Sequence, residues 1–140
     1  MYKNILLPYD FSNSFDNVPE QLEKLVRNDP EHMITVFNVI SEGEHADSVQ
    51  YRRKHLDYII NERAERLEPF LTRLDELGLN YQVEFESGMI RQTILRKINN
   101  NNYDVVVMSN RRAKREIKHV LGQVTHKIAK RSNKPVMIVK

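Results

Sequence analysis

Two places in this 140-residue sequence carry side chains whose types and positions could do chemistry, a lone carboxylate and a cluster of cations. The first is Asp10, in "PYDFS", which follows the apolar run "YKNILLP" at 2–8. The second is "SNRRAKREIKHVLGQV" at 109–124, directly after "VVVM"; it holds Arg111, Arg112, Lys114 and Arg115 and a single glycine, Gly122. An apolar strand that runs into a loop and then a helix is a common place to hold a nucleotide phosphate on the main-chain N–H groups of a glycine-rich turn. Here cations stand where glycines would. Guanidinium and ammonium groups bind anions through side-chain charge, whereas a Cβ at a position that needs bare backbone keeps a ligand at a distance. Both outcomes, a lost phosphate loop and a loop remodelled around cations, are open on these residues.

Other chemistry is weaker. From Arg111 to Arg131 there are eight Lys or Arg against one glutamate. Such a stretch can release counterions from nucleic acid. No base-reading motif accompanies it, and Tyr103 is the nearest aromatic, so a solvated basic surface is expected and nucleic acid is not the expected partner. Lys127, Lys130 and Arg131 sit near a helix carboxyl end, where cations are favourable in any case. His119 and His126, seven apart, share a helical face without a third ligand at matching spacing, and His32, His45 and His55 read as loop or surface histidines rather than a metal site. Ser12 and Ser14 have no histidine near them in sequence to activate them. Nothing resembles a catalytic triad, a Walker loop or a metal–carboxylate pair. Asp10 itself has two readings, a ligand contact or a cap on the turn after the first strand.

Five apolar runs could position these residues: 2–8, "MITVFNVI" (33–40), "YQVEFE" (81–86), "DVVVMS" (104–109) and "PVMIVK" (135–140). The second, fourth and fifth are β-branched and nearly continuous, as in strands covered on both faces. "YQVEFE" alternates, which suggests an edge strand with one wet face. Helical spacing lies between the runs. Val18, Leu22, Leu25 and Val26 mark one helix, with Pro19 in its first turn. Leu56, Ile59, Ile60, Ala64, Leu67, Leu71 and Leu74 trace a second, from about 49 to 77, with Gly78 as its carboxyl cap and Pro69 as its weak point. Ile90, Ile94, Leu95 and Ile98 mark a third, ending in "NNNN" (99–102), and Leu121, Val124, Ile128 and Ala129 a fourth. The alternation predicts a single-domain α/β fold over 1–140, an open five-stranded parallel sheet with helices on both faces. Ligands in such sheets sit at the carboxyl ends of the strands, where strand order reverses. The runs at 2–8 and 104–109 are the natural central pair, which brings Asp10 and the basic loop to one crevice.

Composition is ordinary for a globular chain: 40% hydrophobic, 29% charged, a formal charge of +3 and no cysteine. Without cysteine, disulfides, thiol catalysis and Cys-ligated metals are excluded, and a cytoplasmic setting fits. No run approaches the roughly 20 apolar residues that cross a bilayer. The first run breaks at Pro8 and Asp10, which argues against a secretory signal. The segment at 41–53 is the one long polar connection, expected to be the most mobile.

Taken in order, the pieces resemble the universal stress protein (UspA-like) family over essentially the whole chain. "ILLPYDFS" (5–12) stands against the family opening "ILVPVDGS", "VFNVI" (36–40) against "LLHVV", "GMIRQTIL" and "YDVVVMS" against a "G-x-x-x-x-x-I" helix and "DLIVMG", and "PVMIV" (135–139) against "PVLVV". The resemblance implies a Rossmann-like, adenine nucleotide alpha hydrolase-like sheet of strand order 3-2-1-4-5. It also implies a candidate nucleotide site at Pro8, Asp10, Val39, Met108, Ser109, Arg112, Gly122 and Gln123. ATP-binding members carry G-x2-G-x9-G-[ST] after the fourth strand. Here those positions are Ser109, Arg112, Gly122 and Gln123, so only the third is kept. Ser109 retains a hydroxyl able to donate to a phosphate. The expectation is a dimeric, non-enzymatic stress-response protein that has lost tight ATP binding, works through unidentified protein partners or through its abundance under stress, and needs no cofactor. The alternatives are an ATP-binding member with a remodelled basic loop, able to hydrolyse ATP weakly, and a basic adaptor for nucleic acid. Family dimers form through the last strand, which implies a homodimer interface at Val136, Met137, Ile138 and Val139. The same strand, if it lies at a sheet edge, needs its open backbone paired or covered.

Overall fold

The computed structural model describes residues 2–41, 52–109 and 120–140, and only the backbone of 52–54 and 120–123. Arg111, Arg112, Lys114, Arg115, His45, His119 and nearly all of the polar connection at 41–53 therefore lie outside the described residues.

The elements follow the expected alternation: β1 (Asn4–Pro8), α1 (Val18–Val26), β2 (Met33–Ser41), α2 (Arg52–Glu76), β3 (Tyr81–Gly88), α3 (Ile90–Asn99), β4 (Val105–Ser109), α4 (Val120–Arg131) and β5 (Val136–Val139). The strands form one parallel sheet in the order β3-β2-β1-β4-β5, as predicted. Residue parity along the central strand explains the layers. Ile5, Leu6 and Leu7 are all fully buried, yet consecutive side chains of a strand point to opposite faces. Ile5 and Leu7 join Val18 and Leu22 of α1 and Leu67 and Leu74 of α2 in one core. Leu6 joins Phe37, Val106, Ile94 and Ile98 of α3 and Ile128 of α4 in another. Each fully buried aliphatic side chain contributes about 1.5–3 kcal/mol, so two cores flanking one sheet carry the fold.

Helix α2 runs through Pro69 without interruption. The missing N–H deprives the Glu65 carbonyl of its helical partner, at a cost of about 3 kcal/mol in a helix interior. Both residues are exposed, so water reaches the freed group, while Leu67, Phe70 and Leu74 bury the opposite side. The helix ends as predicted at Gly78, whose φ is +69°. Its N–H donates to Asp75 O (3.0 Å) and that of Leu79 to Leu74 O (3.0 Å), and Leu74 and Leu79 sit in the same core. That pairing is a Schellman motif with its hydrophobic contact.

Two expectations are corrected. The β5 run, outermost as the expected strand order has it, was read as covered on both faces but is only partly covered: Met137 and Val139 pack on one core and Val136 on the other, while Ile138 is 41% exposed. A continuous apolar run does not distinguish an interior strand from an edge one. His32, read as a loop or surface histidine, is buried. Its Nδ1 lies 2.6 Å from Asp29 O and its Nε2 accepts the Asn80 N–H at 2.9 Å, so the ring bridges the entries to β2 and β3. The bond to a carbonyl makes Nδ1 the protonated nitrogen and leaves Nε2 as acceptor.

Candidate functional site

The carboxyl end of β1 builds the site. Beyond Pro8, the Tyr9 N–H still donates to Phe37 O (2.8 Å), which prolongs the pairing with β2. The chain then turns. Asp10 Oδ1 accepts the Ser12 N–H (2.8 Å) and Asp10 O accepts that of Asn13 (3.1 Å), an Asx turn. One oxygen of Asp10 thus caps the turn, as one of its two readings required. The turn is tied to the end of β4: Asn13 Nδ2 donates to Ser109 O (3.0 Å), and Ser109 Oγ donates to Ser14 O (2.5 Å). Ser109 is buried, and its hydroxyl proton goes to the main chain, not outward to a ligand. The cause is packing: the loop after β1 closes over β4, and the half-buried Ser14 residue presents its carbonyl to the Ser109 hydroxyl.

Helix α2 supplies a second wall. Asn38, buried in β2 on the α2 side, donates through Nδ2 to Tyr9 O (2.8 Å) and accepts Arg63 Nη1 at Oδ1 (2.7 Å). Arg63 Nη1 also lies 3.3 Å from Val39 O. The Tyr9 ring stacks on Phe15, with centroids 4.2 Å apart, and meets Phe70 and Phe11 at 5.1 and 5.0 Å. Over Phe11 lie the guanidinium carbons of Arg66 at 4.3 Å and of Arg63 at 5.8 Å. The Tyr9 hydroxyl is held above its ordinary value of 10.0 chiefly by burial and by Asp16, with Arg66 pulling the other way.

Between these walls opens a cleft of about 360 Å³. Its apolar surface comes from Phe37, Val39, Ile94 and Met108; its polar groups come from Asp10, Asn13, Arg63, Arg66 and Thr125. That volume lies at the small end of ligand pockets, roughly 300–1,000 Å³. It also lies where the strand order reverses, with β1 flanked by β2 and β4. Asn13 Oδ1 is buried with no hydrogen-bond partner among the described residues. Leaving a buried acceptor unpaired costs about 1–3 kcal/mol, which a donor brought by a ligand or water would recover. Among the described residues no group of three His, Asp or Glu could hold a metal ion. His126 is exposed on α4, and no described helix is long and apolar enough to cross a membrane.

The whole chain, residues 1–140, matches the universal stress protein family. The chain belongs to that family. It is 24% identical to the universal stress protein MJ0577 of Methanocaldococcus jannaschii, covering all of this chain and 96% of that one. The solved structure of MJ0577 superposes with a TM-score of 0.82 at 25% identity over the same shares of the two chains. UspA from Lactobacillus plantarum gives 0.74 at 16% identity, covering 99% of this chain and 98% of that one. A family protein from Arabidopsis thaliana, solved with AMP bound, gives 0.63 at 18% identity, covering 99% and 91%.

Against the residues implied by that family, the structure brings Pro8, Asp10, Val39, Met108 and Ser109 to one cleft. Gly122 and Gln123 fall in the first turn of α4, with Gln123 side-chain placement outside the description, and Arg112 lies outside the described residues altogether. No periodicity marked Arg63 and Arg66 of α2, Asn38 of β2 or the aromatic pair Tyr9 and Phe11 as lining the cleft. A signal for Phe11 was present, because it stands where the family opening "ILVPVDGS" has glycine. A ring in place of a hydrogen at the mouth of a cleft has to meet something, and here it meets arginine.

Proposed function

We propose that this universal stress protein admits the nucleoside end of an adenine nucleotide into its cleft, does not grip a triphosphate tightly, and acts in the stress response through protein contacts, not catalysis. The observation that carries this reading is the cleft itself: apolar walls from Val39, Met108, Phe37 and Ile94, with Asp10 and Asn13 beside them, at the carboxyl ends of the central strands. A flat apolar base with a few polar atoms suits such a lining. The AMP bound in the Arabidopsis protein and the cAMP bound in another universal stress protein support the ligand class. Arg112 and Gln123, standing at phosphate-loop positions that call for glycine and Ser/Thr, support the weak grip on a triphosphate. We assign no reaction to the site. Asp10 spends one oxygen on a turn, and Ser109 spends its proton on Ser14 O.

Calorimetric titration of the full chain tests the reading. Adenosine should bind saturably at roughly millimolar concentration, and magnesium-loaded ATP should bind more weakly than roughly micromolar. Micromolar ATP binding would overturn the weak-grip part; no adenosine binding at several millimolar would overturn the nucleoside part.

The reading includes a homodimer through β5, at Val136, Met137, Ile138 and Val139. Support comes from the open main-chain edge of this outer strand and from Ile138, a large apolar side chain left 41% exposed in the single chain. Pairing two copies about a two-fold axis would cover both. Light scattering should give twice the chain mass of 16.6 kDa; the single-chain mass at micromolar concentration would remove the dimer. The cysteine-free composition supports a cytoplasmic setting.

A further inference from the structure

Resting on the nucleoside reading above, we propose that Arg66, seated on Phe11, holds the phosphate of a purine nucleoside monophosphate at the α2 wall of the cleft. The anion would then be read by a side-chain fork on the wall opposite the end of β4, and not by the loop that follows β4.

Arg66 and Phe11 both line the cleft, and the guanidinium carbon lies 4.3 Å from the ring centroid. A guanidinium lying over an aromatic face keeps its N–H donors at the rim of the group, where a planar fork matches phosphate oxygens. The ring also limits the rotamers of a long side chain, so less freedom is lost when an anion arrives. Arg66 is exposed, and no carboxylate is paired with it among the described residues. Its neighbour Arg63 is differently employed, bound to Asn38 Oδ1 and Val39 O, and adds charge to the same wall.

The charge count favours a monophosphate. Two guanidinium groups and the Asp10 carboxylate, which accepts the Ser12 N–H, line the cleft, a balance of +1. A phosphate monoester carries about −1.5 to −2 near neutral pH, which stays within about one charge of that balance. A triphosphate carries more charge than this wall offers. The phosphate oxygens also need donors, and of the two cleft-lining arginines Arg66 is the one whose donors have no protein acceptor among the described residues.

The experiment compares adenosine and AMP by calorimetry on the full-length wild type, Arg66→Gln and Arg66→Lys. The wild type should bind AMP about tenfold more tightly than adenosine, as expected of one charge-assisted fork. Arg66→Gln should abolish the gap, so that AMP and adenosine bind this variant equally. Arg66→Lys, a point charge without the fork, should recover only part of the gap. Because Arg66 is exposed, far-ultraviolet circular dichroism of all three proteins should coincide. An AMP-to-adenosine ratio that survives Arg66→Gln would overturn the inference and leave the nucleoside reading intact. Absence of binding by both ligands would overturn that reading as well, so the two failures are distinguishable.

Discussion

The two ends of the sheet are built on opposite plans. At the amino ends of the strands, polar groups are paired with one another. Asp104 Oδ2 accepts the N–H groups of Lys3 (2.9 Å) and Asn4 (2.8 Å), and His32 satisfies both of its ring nitrogens between Asp29 and Asn80. The Asn80 side chain reaches the carbonyls of Pro30 and His32, each at 3.3 Å. At the carboxyl ends, around the cleft, Asn13 Oδ1 is left without a partner among the described residues, and Arg66 rests on a ring and not on a carboxylate. The amino end uses its hydrogen-bonding capacity on the fold. The carboxyl end keeps some in reserve, as a surface meant to meet something else does. Substitutions at the first end should therefore read out in stability, and those at the second in binding.

His32→Ala should produce the largest loss. It removes a buried ring and strands the Asn80 N–H, at an expected cost of about 2–3 kcal/mol in urea unfolding. A loss below about 0.5 kcal/mol would mean that water already serves that amide. Gly88→Ala comes next and tests whether the division between ends is clean, because Gly88 closes β3 at the carboxyl side. Its φ is +153°, and an added Cβ would stand 2.5 Å from Thr93 Oγ1, inside contact distance. Strain and overlap together should cost about 2 kcal/mol. Gly78→Ala is the control: its φ of +69° lies in the left-handed region, which alanine enters at a smaller cost, and nothing lies within 4 Å of the new Cβ. It should cost about 1 kcal/mol. If the two losses are equal, Thr93 rotates away and the tight approach before α3 contributes nothing.

The contrast also explains what the sequence made legible. Strands announce themselves through local composition: Ile5, Leu6 and Leu7, or Val105 to Met108, are buried runs whatever they pack against. Gly78 was readable because a carboxyl cap is a local event, and the strand-end positions Pro8, Asp10, Val39, Met108 and Ser109 followed from topology plus resemblance. His32 was not readable. Its burial depends on Asn80, 48 residues away, and no periodicity marks it. The α2 wall failed for a related reason. Arg63 and Arg66 flank the apolar stripe of the helix at the spacing of Phe70, and a few degrees of helix rotation decide whether they meet the cleft or open solvent. The edge position of β5 came with the strand order that the resemblance implied, but the exposure of Ile138 did not, because burial in a sheet depends on neighbours while a run of apolar residues records only preference.

The smallest effect expected is also the one that ties the fold to the cleft. Tyr9 stacks on Phe15 beneath Phe11, and burial is the first cause of its raised titration, with Asp16 adding to it and Arg66 opposing it. Below its unfolded value of 10.0 both folded and unfolded chains keep the phenol proton, so its contribution to stability is fully present. As the pH rises past that value the unfolded chain loses the proton first, which favours unfolding; the contribution is lost through the folded-state value. Tyr9→Phe should therefore soften the alkaline decline in urea midpoint above about pH 10 and leave stability near neutral pH almost unchanged. Lys3, Lys97, Tyr81 and Tyr103 are raised too, so part of the decline will persist. Arg66→Gln sharpens the test, since it removes the cation that pulls Tyr9 down. Tyrosinate absorbance should then show one phenol titrating at higher pH than in the wild type. If that phenol does not move, Arg66 is not held over the aromatic stack in solution, and the carboxyl end does not hold its cation in reserve at that place.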